Sequence, residues 1–328
     1  MSDALQFLGT LLLLVIASDA FANAVEWIGA SYGLTRSAVG AVVAAVGSCL
    51  PETMVALIAF LLLRDARSVE VGTGAVIGAP LLLSTLVLSL LGISAYAFGK
   101  QRNVAASVQP TLFGLALFVG TFALVIGASF ATARAAHVGA GIAALMAYAG
   151  YLLYHMRTGA QEGYETPPPL RFAPASKRPD AHLVILQLFI ATAVTVLAAR
   201  WFIGTVTALA ADFRVSALLI SLVLSPIATE LPEVISLLIW TQRDIDDLAV
   251  GNVLGAMMFQ ASVASALGLF MTPWHLDATS YRAAIATLVV SVFLFISTAL
   301  RRKLEVVPLV LCGLGYAGYL IAEFSAHH

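Results

Sequence analysis

Charge is scarce in this chain: Lys, Arg, Asp and Glu make up 11% of its 328 residues, against about 25% in water-soluble domains. That shortage excludes an ordinary soluble globule. Nor is there a surplus of one sign, with 17 Lys and Arg against 18 Asp and Glu, so no basic face exists to neutralise nucleic-acid phosphates. Cysteine is nearly absent, and Cys49 and Cys312 both fall in apolar runs without metal-type spacing. Neither a disulfide framework nor a zinc site is indicated. The N-terminus lacks the basic segment and small-residue cleavage site of a signal peptide, so residues 5–31 are expected to be a retained first span. No nucleophile–base pair, phosphate loop or histidine–metal cluster stands in the loops, which speaks against an enzyme and indicates no cofactor. The six histidines lie in loops or near span ends, leaving no buried imidazole relay.

What the chain does have is apolar sequence, 60% of its residues, in runs of about 20, the length of helix that crosses about 30 Å of hydrocarbon. Runs bounded by charge, Gly or Pro predict spans near 5–31, 36–63, 70–98, 109–130, 135–156, 182–211, 215–240, 247–272, 280–299 and 304–323. The fold class read from them is an all-α polytopic membrane protein of ten transmembrane helices. Residues 157–181 hold Pro167, Pro168, Pro169, Pro174 and Pro179, a composition that favours an extended, solvated linker. The chain then divides into 1–156, a Pro-rich linker 157–181, and 182–328.

Positive loops tend to stay in the cytoplasm. Arg36, Lys100, Arg102, Arg157, Arg171, Lys177, Arg178, Arg243, Arg301, Arg302 and Lys303 crowd the side opposite the termini, whereas Arg64, Arg67, Arg134, Arg214 and Arg282 lie on the termini's side. Both termini are therefore expected outside the cytoplasm and the linker inside it, in the plasma (inner) membrane. Trp27, Trp201, Trp240 and Trp274 fall near span ends and read as anchors at the headgroup level.

The two halves repeat each other. VGSCLPETMVALI at 46–58 lies over IATELPEVISLLI at 227–239, and the match runs backwards without a gap. After each follows a Gly-containing span, GTGAVIGAPLLL at 72–83 and AVGNVLGAMMFQ at 249–260. With an odd number of spans per half, the second copy enters the membrane upside down. Two inverted five-helix repeats, with a substrate site between them near the midplane, are the expected plan.

Proline lacks an N–H, so Pro51 leaves the Gly47 carbonyl without its helical donor, and Pro232 does the same to Ala228. In hydrocarbon an unsatisfied carbonyl is tolerated only where it meets protein, water or an ion. The adjacent Glu52 and Glu233 are themselves costly there, roughly 2.5–3.5 kcal/mol or more each. Two carboxylates, freed carbonyls and the hydroxyls of Ser48 and Thr229 make an all-oxygen set for a hard cation. A pliable shell of about 6–8 oxygens suits calcium better than magnesium. The alternative is that both glutamates are protonated and hydrogen-bond across the helix pair.

At these residues the chain resembles the calcium:cation antiporter superfamily, specifically the membrane region of sodium/calcium exchangers, whose repeats carry Gly-Thr-Ser-Leu-Pro-Glu followed by Gly-Asn-Val-Ile-Gly-Ser-Asn. Residues 47–52 and 228–233 match the first element, and 247–255, including Asn252, match the second. Gly74 to Gly78 match it poorly. The resemblance covers nearly the whole chain. It implies ten spans, a central diamond of acidic, hydroxyl and carbonyl oxygens, and alternating access as residues 5–31 and 182–211 slide over the core. It also implies metal-site roles around Glu52, Glu233, Gln260 and Asn252. The chain departs where the family holds sodium: Ala79, Leu83, Ala256 and Gln260 keep a single oxygen-bearing side chain. The Ser before Leu-Pro-Glu has become Cys49 in one repeat and Glu230 in the other. These departures weigh against coupling to several sodium ions.

Glu230 adds a third carboxylate, through which a proton could compete with calcium for the same oxygens. Its other reading is a residue facing a polar crevice or neutralising a base. Asp19 aligns with Arg200 under the offset that pairs the glutamates, which predicts an ion pair between the first and sixth spans. Asn23 either lines an access path or makes a satisfied helix–helix hydrogen bond. The expected activity is exchange of Ca2+ for Na+ or H+, with inorganic cations and the bilayer as partners and no obligatory protein partner. The alternatives are exchange of Mn2+, Mg2+ or a monovalent ion for H+, and a non-transporting ion-binding membrane protein.

Overall fold

Charge, Gly and Pro punctuate the sequence, and the apolar intervals between them wind into helices. The computed structural model describes residues 2–31, 49–99, 103–158, 168–176, 178–213, 215–242, 244 and 246–326, most of them helical. The first half contains α1 (Ser2–Ser31) and α2 (Leu50–Leu57), which continues as a π-helical stretch, Ile58–Leu63. Next comes α3, formed by Ala66–Leu82, a π-helical Leu83–Val87 and Leu88–Gly99. It is followed by α4 (Val108–Ala128) and α5 (Arg134–Thr158). The second half contains α6 (Ala181–Phe213), α7 (Ala217–Thr229) and α8 (Leu231–Gln242). Then α9 is formed by Asp246–Phe259, a π-helical Gln260–Ala264 and Ser265–Met271, ahead of α10 (Ala278–Arg301) and α11 (Val306–Ala326). Local caps start several helices. Asp65 accepts from the Ser68 amide at 3.0 Å, Ser216 from Leu219 at 3.1 Å and Asp277 from Ser280 at 2.8 Å.

Among the described residues, seven helices are long and apolar enough to cross a membrane, and shorter apolar helices stand at Leu5–Phe21, Leu50–Leu63 and Ala217–Ile227. The expected span 36–63 lies partly outside the described residues. The expected span 215–240 is broken in two at Glu230, where the backbone leaves the helical region. The apolar stretches of α3 and α9 are 83% and 78% buried, against 28–50% for the other five long helices, so these two form the centre. Outer helices turn Leu12, Phe189, Leu300 and Leu314 outward, a distribution suited to lipid rather than water.

Two helix pairs carry the packing: α1 lies along α6, and α3 along α7. The second seam is glycine-made. A Cβ on Gly74 would sit 2.7 Å from the Leu218 carbonyl oxygen, and one on Gly78 2.9 Å from Pro226 Cγ, so only glycine permits this approach. Across the same seam the Ser221 hydroxyl donates to the Val71 carbonyl at 2.7 Å.

The loops close the two ends. At one, β1 (Asn103–Val104) pairs antiparallel with β2 (Leu304–Glu305), and the Ala105 and Ser107 amides donate to Asp246 at 2.8 Å and Asp247 at 2.6 Å. At another, the Arg134 guanidinium donates to the carbonyls of Leu269 at 2.9 Å and Thr272 at 3.0 Å. Trp274 is buried there with its indole donating to the Val125 carbonyl at 3.0 Å. It is a packing residue rather than the expected headgroup anchor.

The linker departs from its composition too. Its described stretch 168–176 is largely exposed but not extended: it turns over α1 and α6 as a strap pinned by Leu170, which is fully buried beside Ala24, Trp27 and Val184. The strap can dock because its backbone finds partners. The Asn23 amide donates to the Pro168 carbonyl at 3.2 Å and its oxygen accepts from the Arg171 amide at 3.1 Å. Gln187 accepts from the Phe172 amide at 2.9 Å and donates to the Ala20 carbonyl at 2.8 Å. The Trp27 indole also donates to the Pro168 carbonyl, at 2.9 Å.

Candidate cation site

Each Leu-Pro-Glu motif starts a helix. Cys49 precedes α2, whose first turn holds Pro51 and Glu52, and the Thr53 hydroxyl turns back to the Cys49 carbonyl at 2.7 Å. In the second repeat Thr229 ends α7, Glu230 sits at the break, and Glu233 lies in the first turn of α8. The Glu230 amide still donates to the Pro226 carbonyl at 2.9 Å, and Val234 donates to the Glu230 carbonyl at 3.1 Å, so the break is tight rather than frayed.

Glu52, Glu230 and Glu233 are each at most 1% exposed. They lie within electrostatic range of one another. The oxygens of Glu52 and Glu230 have no hydrogen-bond partner among the described residues, nor does the Gln260 amide, which approaches Glu230 without closing a hydrogen bond. A fourth buried acid gives the contrast. Glu323, fully buried, takes a 2.7 Å bond from Arg282 Nε and a 2.7 Å bond from the Thr279 hydroxyl. Burying a carboxylate is costly unless it is matched; Glu323 is matched by a base, whereas Glu52 and Glu230 meet none among the described residues. The trio is open: no three His, Cys, Asp or Glu side chains among the described residues converge closely enough to hold a metal by themselves. A cation here would draw further oxygens from backbone and amide groups.

Gln260 begins the π-helical stretch of α9, and Leu83, its counterpart in the repeat, begins the one in α3. Both stretches are five residues long. Their third positions also correspond in carrying a hydroxyl: Thr85 donates to the Leu81 carbonyl, and Ser262 to the Met258 carbonyl at 2.5 Å. Such π turns favour functional sites because they disturb the regular hydrogen-bond ladder. Sequence reading missed them, together with the buried Ser84 and Ser265 nearby. The only written signal was the duplicated glycine motif ahead of each.

Gly47 and Ser48 lie outside the described residues. The Thr229 hydroxyl donates to the Ser225 carbonyl at 2.8 Å, and Ala228 lies in the last turn of α7. Asn252 is half-buried on α9, about 12 Å along the axis from Gln260. The predicted Asp19–Arg200 pair gives way to another: Asp19 binds Arg171 of the strap, with Nε at 2.8 Å and Nη2 at 3.1 Å. Antiparallel packing explains the difference, since Arg200 lies level with the start of α1, beside Gln6 and Thr10. Asn23 is engaged by the strap and by Gln187, at 3.1 Å, and so serves as the satisfied hydrogen-bonding residue of the two readings.

Buried acids in the first turns of helices of an apolar bundle, one pair of them at a helix break, are the equipment of a cation-transporting membrane protein. Comparison with known proteins narrows this class. The sequence profile of the sodium/calcium exchanger protein family matches residues 2–157 and 183–324, and the chain belongs to that family. It is 26% identical over 306 residues to the inner membrane protein YrbG of Escherichia coli, covering 92% of this chain and 90% of that one. To the putative antiporter CaxA of Alkalimonas amylolytica it is 25% identical over 322 residues, covering 96% and 97%. Its fold is similar to the H+/Ca2+ exchanger CAX, with a TM-score of 0.76 at 17% identity over 97% of this chain and 82% of that one. The sodium-calcium exchanger NCX_Mj gives 0.56 at 22% identity, covering 98% of each.

Proposed function

We propose that the chain exchanges Ca2+ for a monovalent cation by alternating access at Glu52 and Glu233, with Glu230 and Gln260 completing the set. The observation that carries this reading is the burial of three acids together at the starts of α2 and α8, where Glu52 and Glu230, unlike Glu323, meet no base among the described residues. A divalent cation supplies the missing positive charge. Carbonyls freed by Pro51 and Pro232, those of Gly47 and Ala228, with the hydroxyls of Ser48 and Thr229, would extend the oxygen shell.

The reading includes the whole architecture: ten spans as inverted repeats 1–156 and 182–328, with the strap cytoplasmic and both termini outside, in the plasma (inner) membrane. Its support is the duplicated motif, the duplicated π stretches and the fold likeness to two exchangers. The α1–α6 pair, tied by the strap, is the unit that would slide.

Among counter-ions the proton is favoured. Ala79, Leu83 and Ala256 are buried and offer no side-chain oxygen, whereas Glu230 adds an acid that a proton can neutralise when calcium leaves. Flux into proteoliposomes tests both parts. Calcium uptake driven by a pH gradient without sodium, and abolished in Glu233→Gln, is the expected result. Uptake driven by sodium alone reverses the counter-ion assignment, and unaltered exchange in Glu233→Gln removes the site.

A further inference from the structure

Arg200 sits near the middle of α6, and among the described residues its guanidinium makes no hydrogen bond or ion pair. It lines a groove of about 640 Å3 between α1 and α6, with Gln6, Gly9, Thr10, Trp201 and Gly204. Phe7 packs on Phe202 with ring centroids 5.4 Å apart, which fixes the antiparallel register. Gln6 lies about 6 Å and Thr10 about 12 Å along the axis from the first residue of α1, so the groove reaches to within an arginine's length of that helix end.

The groove is kept hollow by glycine. A Cβ on Gly9 or Gly204 would meet no described atom within 4 Å, unlike one on Gly74 or Gly78, so these two residues are not needed for helix contact. The Thr10 hydroxyl is directed to the Gln6 and Phe7 carbonyls at 2.8 Å and 3.0 Å, which leaves Arg200 as the charged group of the lining. Around it Leu5, Leu8, Leu12 and Trp201 are all more than half exposed. The mouth is therefore apolar and opens sideways, toward lipid. A guanidinium is costly among acyl chains unless it reaches an opposite charge. Its long stem lets it snorkel, and its planar fork matches the oxygens of a phosphate. Phospholipids present that group at the depth an arginine can reach, and the apolar rim disfavours entry of a hydrated free anion.

We propose that the groove between α1 and α6 is a phospholipid site, in which Arg200 holds the lipid phosphodiester and an acyl chain lies over Gly9 and Gly204. The site is separate from the carboxylates and does not depend on which ions are exchanged.

Native mass spectrometry of the full chain in detergent, titrated with phosphatidylglycerol, phosphatidylcholine and diacylglycerol of matched chains, tests it. Both phospholipids should be retained alike, and diacylglycerol at least about tenfold less. Arg200→Gln should weaken phospholipid binding by about tenfold. Gly204→Leu, which fills the groove and keeps the charge, should do the same. If Arg200→Gln does not fold, Arg200→Lys, which removes the fork and keeps the charge, is read beside Gly204→Leu. Equal retention of diacylglycerol, wild-type binding by these variants, or displacement of the lipid by inorganic phosphate would overturn the proposal.

Discussion

Arg171 holds Asp19 with two nitrogens of its guanidinium, at 2.8 Å and 3.1 Å, and so fastens a proline-rich strap to the first helix. Both side chains are about half exposed, at 46% and 55%, so the pair should contribute only about 0–1 kcal/mol. The buried partners behind it matter more. Asn23→Ala leaves the Arg171 amide without its acceptor and the Pro168 carbonyl with one donor fewer, and should cost about 1–3 kcal/mol. Thermal unfolding of the purified protein should rank Asn23→Ala well below Asp19→Asn; the reverse order would mean that the ion pair, not the amide network, seats the strap.

Buried acids of two kinds should respond differently to the same change. Glu52→Gln removes an anionic oxygen from the candidate site and should lower calcium exchange by about 100-fold or more, with the fold retained. Glu323→Gln weakens the partner of Arg282 and should lower stability by about 1–3 kcal/mol, with exchange per folded molecule near normal. Flux normalised to folded protein, beside a melting curve, separates the two.

The glycine seam between α3 and α7 makes a steric prediction. Gly78→Ala puts a methyl group against the Leu222 backbone and Pro226, and overpacking of this kind costs about 1–3 kcal/mol. Gly9→Ala, on the open groove, should be nearly neutral. Comparing their melting temperatures checks the claim that Gly78 serves close approach and Gly9 does not.

Asp65 lies just outside the third helix, and the Ser68 hydroxyl and amide hold its carboxyl below the ordinary carboxylate value. A depressed acid stabilises in full above the unfolded value of about 3.9 and loses that contribution as pH falls through the folded one. Hydrogen exchange in the first turn of α3 should therefore be protected at neutral pH and speed up, beyond the intrinsic trend, only in strong acid. Asp65→Ala should remove this pH response and cost about 1 kcal/mol.

Most of the helical plan was written in the sequence, because hydrocarbon demands long uninterrupted apolar runs and their ends are marked by charge, Gly and Pro. Glu52 and Glu233 were legible for the same reason: an acid beside a proline in mid-span conflicts with every local preference. Glu323 was not, since its partner Arg282 lies on another helix. The strap was legible only in part: its prolines point to an exposed segment, as 168–169, 171–172 and 174–175 are, whereas its docking is decided by single contacts made by Leu170, Asn23 and Gln187. The Asp19–Arg200 pairing failed on geometry, as equal offsets in a repeat relate positions but do not make them neighbours. The π stretches left no pattern of their own, because an α turn and a π turn use the same residues.

Those two stretches alter how the central helices should be compared with others. A π turn accommodates one residue more than the α turn it replaces, so beyond Val87 and Ala264 every side chain is rotated by about 100° from where an unbroken α-helix would aim it. Ser89, whose hydroxyl meets the Val310 carbonyl at 3.2 Å, depends on that extra residue for its bearing. An alignment of α3 with a straight relative needs a one-residue gap at this point, and without it each downstream position would be matched to the wrong face.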